Sequence, residues 1–365
     1  MDTDVTVVGA GIIGLSVSYY LSQYGYRVIL LEKEKKYGLG VSSRSTEVIH
    51  SGAYYQTGSL KRKLCIRGKE LIYQFCEKNN ILYKRVPKLF LAITKDDIEN
   101  ITRIEEQAKT NGLVDLKILD RRQLKNLEPS LNGYAALLSP SSGVFDVSNT
   151  MHVLAQKCLD NGVIIAENSP FEGAEFYHEH TKVRVLGPDP ITFKTKFVIN
   201  AAGIDSTQIS KKVFNSPTIP SSIPTKGCYA RYSGKLSLKH IIYPSFTPGQ
   251  IIERVDATPD INGNLRFGPS IEESTDASDY SIPNNLIKRF TESIKKYLPE
   301  IDETKITPDY AAFRPKIKIE NNNNPDFIFN FENSGYWLDL WGMESPAVTA
   351  SLAVGEYVKN LISKI

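Results

Sequence analysis

Gly9, Gly11 and Gly14 form a G-x-G-x-x-G pattern within GAGIIG, and an acidic residue, Glu32, follows eighteen positions after the last glycine. That spacing suits a dinucleotide. Gly9 permits a tight turn, Gly11 lets the backbone approach a pyrophosphate, and Gly14 lets a helix pack closely on a strand. The helix that starts near Ile13 then offers free N–H groups and about half a positive charge to the diphosphate. A carboxylate at Glu32, with Lys33 beside it, can accept hydrogen bonds from an adenosine ribose and disfavours a 2′-phosphate. The pattern alone does not separate NAD from FAD, because both carry the same ADP half. A glycine-rich turn of purely structural use is the alternative, and the surrounding elements argue against it.

Val5 to Val8 is a β-branched apolar run, and Leu15 to Leu21 repeats its apolar positions with helical spacing up to Gly25, a C-terminal cap. Arg27 to Glu32 reads as a second buried strand, completing a parallel strand, helix, strand unit. Ser59 opens an amphipathic helix through about Asn79. From Tyr83 to Leu138 the text reads as an inserted lobe: strands at 83–94 and 134–138 around a polar helix at 95–111. After Asp146 a helix to Asn161, strands near 163–166, 171–177 and 182–185, and the run Phe197 to Gly203 resume the first unit.

From about Asn215 the chain turns Pro-rich and strand-like, with strands at 229–232, 241–243 and 265–267 and a helix near 284–297. The tail carries a strand near 336–340, the turn Gly342-Met343-Glu344-Ser345-Pro346 and a helix from Ala347 to about Ile362. The expected class is α/β: a Rossmann-like dinucleotide domain from 1–82, 145–214 and 307–365, and an α+β substrate domain on a mainly antiparallel sheet from 83–144 and 215–306.

A chain of 365 residues exceeds what one hydrophobic core usually supports, so two domains with a cleft between them are expected. With 44 basic and 41 acidic residues the formal charge is only +3, which argues against a nucleic-acid surface. Four cysteines without CxxC spacing suggest neither a zinc site nor a disulfide framework, so no metal is expected and a reducing compartment fits. The first apolar run begins almost at Met1, leaving no room for a targeting peptide, and no stretch of about 18 apolar residues occurs. A cytoplasmic protein is therefore expected, with peripheral membrane contact left open.

VVGAGIIGLSVSYYLS, SSRSTEVIHSGAYYQTGSLKRKLC, LEPSL, VINAAG, RFGP, FRPKI and WGMESPAVTASLAVGEYV together resemble the D-amino-acid-oxidase-like FAD-dependent oxidoreductases, and within them look most like the L-2-hydroxyglutarate dehydrogenases and their relatives. These stretches run from Val7 to Val358; the Ser42 to Cys65 segment and GMESPAVTASLA are the specific ones. The resemblance implies a two-domain flavoprotein holding FAD extended, with the flavin at the interface. Ser42, Ser43, Arg44 and Ser45 would offer donors near the pyrophosphate. Ala201, Ala202 and Gly203 lack bulk where backbone runs beside the dinucleotide. Pro346 lies near the first turn of the last helix, whose positive end could face the flavin; capping by Ser345 is the plainer alternative.

The resemblance also implies oxidation of a small anionic substrate, with electrons passed to a quinone or another carrier. His50 matches a histidine placed beside the flavin, and histidine suits removal of a hydroxyl proton near neutrality. Arg314 matches an arginine facing the substrate, where its planar fork suits a carboxylate. Lys226 would be a second positive group, and Tyr54 and Tyr55 would line the pocket or simply pack. Three features depart from the pattern: Val255-Asp256-Ala257-Thr258 puts a carboxylate where relatives carry a histidine, Ser45-Thr46 replaces asparagine and serine, and Trp341 replaces phenylalanine. Asp256 could repel a dicarboxylate. Oxidation of an amine or amino acid, and a catalytically silent flavoprotein scaffold, are the competing readings.

Overall fold

The computed structural model describes residues 2–245, 253–274, 276–320, 322, 325–332 and 336–364. Its first sheet is built on Asp2–Val8, which pairs in parallel with Val28–Leu31 on one side and Ile191–Asn200 on the other. Ile164–Ala166 extends the parallel set beyond Val28–Leu31, and Trp337–Trp341 extends it beyond Asn200. All four residues of Val28–Leu31 and all five of Trp337–Trp341 are buried, as expected of strands covered on both faces. Phe171–Phe176, Thr181–Val185 and Ile328–Glu332 add antiparallel pairs at the margins.

Register brings the strand ends together. Val8 stands opposite both Leu31 and Asn200, and Asn200 stands opposite Asp339. The loops that follow, at Gly9, Glu32, Ala201 and Gly342, therefore open on one edge of the sheet, where open α/β sheets bind ligands. Helices Ile12–Gln23, Leu60–Lys78, Val147–Asp160 and Ala347–Ile362 pack together, and residues from all four enter one apolar core with the sheet.

The second sheet runs in the order Glu272–Glu273, Ser221–Tyr232, Leu265–Phe267, Ala257–Pro259, Ile241–Ser245, Lys88–Ala92, Ala135–Ser139, Lys117–Asp120, with Ile306–Lys318 lying along Ser221–Tyr232. Only Ile241–Ser245 against Lys88–Ala92 is parallel; the other pairs are antiparallel, matching the expected class. Val48–Ile49, Gly143–Phe145 and Tyr83–Lys84 form a small third sheet.

Several elements differ from the sequence reading. The run expected as one strand at 83–94 is two, in different sheets. The strand expected at 229–232 begins at Ser221, and its partner Ile306–Lys318 falls in the second sheet although residues from 307 onward were assigned to the first unit. Proline explains the omission. Pro224 and Pro315 stand opposite each other, a pair in which neither nitrogen can donate, so each run reads locally as a strand breaker. The helix Ile98–Thr110 is shorter than the expected 95–111 because Asp97 turns back on Thr94, its carboxylate accepting from the Thr94 N–H at 2.8 Å.

Candidate functional site

The glycine turn is closed by its own geometry. Gly9 has φ +98°, and a Cβ there would stand 2.8 Å from the Ala201 carbonyl oxygen; a Cβ on Gly14 would fall 1.8 Å from the Gly9 oxygen. Glu32 is buried, and its carboxylate accepts from the Ala10 N–H at 2.9 Å and from the Glu34 N–H at 2.9 Å. An ionised carboxylate has about four acceptor sites, so acceptor capacity remains for a ribose hydroxyl. Ser42 Oγ accepts from the Ile12 N–H at 3.0 Å, tying the Ser-rich segment to the first turn of the helix, and Ile13 is buried in the core behind it.

The remaining sequence candidates are less uniform. Ala201 is buried beside the turn, Ala202 is half-buried, and Gly203 (φ +58°) starts a short 3-10 turn. Lys33 Nζ donates to Asp205 at 2.7 Å, and the Ser43 hydroxyl donates to the Gly40 oxygen at 3.0 Å; neither is aimed at the glycine turn. Arg44 reaches toward the second sheet, its guanidinium 4.2 Å from the Tyr280 ring and Nη1 donating to the Ala311 oxygen at 3.3 Å. Ser45 Oγ, buried, has no hydrogen-bond partner among the described residues although Ser45 lines the main cavity. Such an oxygen fits a bound ligand's polar atom.

That cavity, of about 360 Å³, lies between the two sheets. His50 enters it just past Val48–Ile49, and the last helix fixes its backbone: the His50 N–H donates to Thr349 Oγ1 at 3.1 Å, and that hydroxyl donates to the Val48 oxygen at 3.0 Å. The two most specific motifs are thus held against each other by one threonine. Around the imidazole, Nδ1 lies 3.4 Å from the Tyr54 hydroxyl and 3.3 Å from Lys88 Nζ, while Nε2 lies 3.5 Å from Ser345 Oγ. Tyr54 and Tyr55 share a hydrogen bond at 3.0 Å, and both line the cavity.

Gly342 to Pro346 leads from the last strand into Ala347–Ile362. Gly342 has φ +70°, Met343 is buried in the core, and Glu344 forms a buried ion pair with Lys61 at 2.9 Å. No side chain caps the helix, so Ser345 is not an N-cap; its hydroxyl faces His50 and Tyr55. Pro346, Ala347 and Val348 line the cavity, placing the positive end of a 16-residue helix at its wall.

Arg314 also lines the cavity, and its side chain makes no hydrogen bond or ion pair among the described residues. Asp256 does not stand there as an unpaired charge: its carboxylate is 3.1 Å from Arg254 Nε, and Arg254 Nη2 donates to it at 3.4 Å. Among the described residues the Arg314 guanidinium thus has no ion-pair or hydrogen-bond partner, whereas Arg44, which also lines the cavity, is held by the Ala311 oxygen and the Tyr280 ring. Lys226 is not brought into this group. Strand alternation turns it to the face opposite its cavity-lining neighbour Gly227, where Nζ donates to Asp279 at 2.8 Å and to the Ser281 oxygen at 3.1 Å.

Burial dominates the titrations. It holds the His50 imidazole well below its usual range, with Lys88, Arg254 and Arg314 adding to the effect, so His50 is neutral at neutral pH. It lowers the Lys88 ammonium to about 7, opposed by Asp256 and reinforced by Arg254. It raises the Asp256 carboxyl against the pull of Arg254, Lys88 and Arg314, and pushes the Tyr54 phenol up to about 12.

Lys88 and Arg254 were not singled out from the sequence. Lys88 is the one charge in the buried strand KLFLA, 1 % exposed with Nζ 3.7 Å from the Tyr243 ring centre, and a lone lysine in an otherwise apolar strand was the available signal. The Trp341 departure has a structural role: its indole N–H donates to Ser210 Oγ at 3.1 Å within a buried network containing Asn200 and Asp339.

A parallel sheet with a glycine turn at its strand ends, facing an antiparallel sheet across a charged cavity, is the architecture of a dinucleotide-binding protein with a ligand site beside the dinucleotide. Residues 4–361 match the family described as "FAD dependent oxidoreductase", and the chain belongs to it; FAD is its cofactor. It is 29% identical to L-2-hydroxyglutarate dehydrogenase of Arabidopsis thaliana over 98% of this chain and 83% of that protein. It is 27% identical to glycerol 3-phosphate dehydrogenase of Caloramator mitchellensis over 99% and 74%. The fold matches that of the dithionite-reduced, FAD-bound L-alpha-glycerophosphate oxidase of Mycoplasma pneumoniae with a TM-score of 0.89 at 24% identity, covering 100% of this chain and 95% of that one. Among the described residues no helix is long and apolar enough to cross a membrane, and no group of three His, Cys, Asp or Glu is placed to hold a metal.

Proposed function

We propose that this oxidoreductase oxidises a small anionic 2-hydroxy acid, of the L-2-hydroxyglutarate kind, and passes the electrons to a quinone or another carrier. The observation that carries the reading is the pairing in one cavity of a neutral, buried imidazole, His50, with an unmatched guanidinium, Arg314. A 2-hydroxy acid presents a carboxylate and a hydroxyl on adjacent carbons, so binding the first at Arg314 brings the second toward the imidazole.

The glycine turn with Glu32, Ser42 and Ser45 would hold the ADP half of FAD, and Ser345 to Ala347 the flavin end. FAD, when bound, supplies the two-electron acceptor for carbon oxidation. The chain's own groups do the rest. Arg314 orients the carboxylate by paired N–H donation. His50, uncharged, takes the hydroxyl proton. Tyr54, Tyr55 and Tyr243 narrow the cavity and limit water. Asp256, matched by Arg254, adds no unpaired negative charge that would exclude an anion.

Anaerobic addition of 2-hydroxy acids to the FAD-loaded protein tests the reading. Bleaching of the flavin band by a 2-hydroxy acid supports it; bleaching by an amino acid alone, or by no metabolite offered, would transfer support to an amine oxidase or to a silent flavoprotein.

A further inference from the structure

We propose that Lys88 is a positioning residue that sets the tautomer of His50: as a free amine it accepts the Nδ1 proton, leaving Nε2 as the basic nitrogen that faces the cavity. The inference rests on reading His50 as the base and extends it to a residue outside the cavity wall.

Lys88 is not among the residues lining the cavity; its Nζ lies behind the imidazole, 3.3 Å from Nδ1, while Nε2 is directed to Ser345 on the cavity side. The strand Lys88–Ala92 is paired on both edges, by Ile241–Ser245 and Ala135–Ser139, which holds its backbone, and the side chain is buried with Nζ between His50 and the Tyr243 ring. No carboxylate lies within ion-pairing distance of it among the described residues, and the Arg254–Asp256 pair acts on it with opposite signs. Burial leaves a lysine so placed poorly held as an ammonium, against the attraction of the Tyr243 ring 3.7 Å from Nζ.

Its two states favour opposite tautomers. The neutral amine gains a lone pair that can accept from Nδ1–H, as can the Tyr54 hydroxyl 3.4 Å from the same nitrogen, and that tautomer leaves the Nε2 lone pair free. The ammonium has no acceptor and donates to Nδ1, which puts the ring proton on Nε2 and removes the base. With the amine neutral, a proton gained at Nε2 is matched by one passed from Nδ1 to Lys88, which becomes the ammonium; one proton enters, one moves on, and no electrons are exchanged. Burial lowers the Lys88 ammonium to about 7, so both states are reached on either side of neutrality.

Other groups facing Lys88 titrate elsewhere or stay charged. From the His50 loop and the helix Leu60–Lys78, the Tyr54 phenol and Cys65 thiol are pushed up to about 12. From the second sheet, Tyr243 is held well above its usual range, Arg254 stays cationic, and Arg314 adds a further positive charge to His50. Asp256, raised by burial, is the one remaining group whose protonation would also act on Lys88, and Asp256→Asn controls for it.

The test is ¹⁵N NMR of the FAD-loaded protein labelled in its histidine rings, with His50 assigned through His50→Gln. At about pH 9 the native protein should show the Nδ1–H form, and at about pH 6 the Nε2–H form. Lys88→Met should abolish that pH-dependent change and lower the rate of flavin reduction by a 2-hydroxy acid at least about tenfold above pH 8. Lys88→Arg, permanently charged, should hold the Nε2–H form throughout. A native tautomer that does not change between these pH values, or that changes equally in Lys88→Met, overturns the proposal. Undiminished flavin reduction in His50→Ala would instead overturn the base reading while leaving the tautomer result intact.

Discussion

Replacing Lys88 by methionine should remove a rise of stability with pH over a defined window. The lysine pKa falls from 10.5 to about 7 on folding, so between those values the unfolded chain binds more protons than the native one. Stability then rises with pH, by up to about 1.4 kcal/mol per pH unit. Integrated from pH 7 to pH 9, with the lysine already half neutral at the start, the native protein should gain about 2 kcal/mol relative to Lys88→Met. Methionine of similar length fills the space without an ionisable group, so the variant should be more stable than native at pH 7 and the advantage should shrink toward pH 9. Urea unfolding of both FAD-loaded proteins at the two pH values measures this directly. Unfolding free energies whose difference is the same at both pH values would refute the assignment of Lys88 as a buried, deprotonating lysine.

Other outcomes follow from the same geometry. His50→Ala should lower the rate of flavin reduction by a 2-hydroxy acid by about 10²–10⁴ while FAD absorbance is retained. Because burial depresses the imidazole, protonation of His50 itself should lower the rate only well below pH 6.5, as a second step under the loss that Lys88 produces near pH 7, read from rates in buffers of descending pH. Gly9→Ala forces a Cβ to within 2.8 Å of the Ala201 oxygen at φ +98°, so the purified protein should lose its yellow colour, scored by FAD released per chain. Trp341→Phe removes the donor to Ser210 and should cost about 1 kcal/mol in urea unfolding with FAD content unchanged.

How much was legible varied with how local the signal was. The first strand, helix and second strand were readable because Val5 to Glu32 carries its own periodicity, glycines and acid within one short segment, and the last helix begins at the expected Ala347. The long pair Ser221–Tyr232 and Ile306–Lys318 was not. Its partners are far apart in sequence, and both strands contain prolines that look like breakers until Pro224 and Pro315 are seen opposite each other. The cavity shows the same division. His50 and Arg314 stood in recognisable segments, and both line the same cavity. Lys88 reaches His50 only through strand pairing across the second sheet, and Lys226, the second positive group expected from the sequence, is turned away by the alternation of its strand.

The most direct measurement is stopped-flow reduction of the bound flavin by L-2-hydroxyglutarate and smaller 2-hydroxy acids, in native protein and in Arg314→Met, without oxygen. Native protein should be reduced by at least one of these acids, and Arg314→Met should need about 30- to 150-fold more of it, the equivalent of about 2–3 kcal/mol for a lost charged hydrogen-bonding partner. Reduction of both proteins at the same concentrations would contradict the role of Arg314, and no reduction of the native flavin by any 2-hydroxy acid would contradict the proposed function itself.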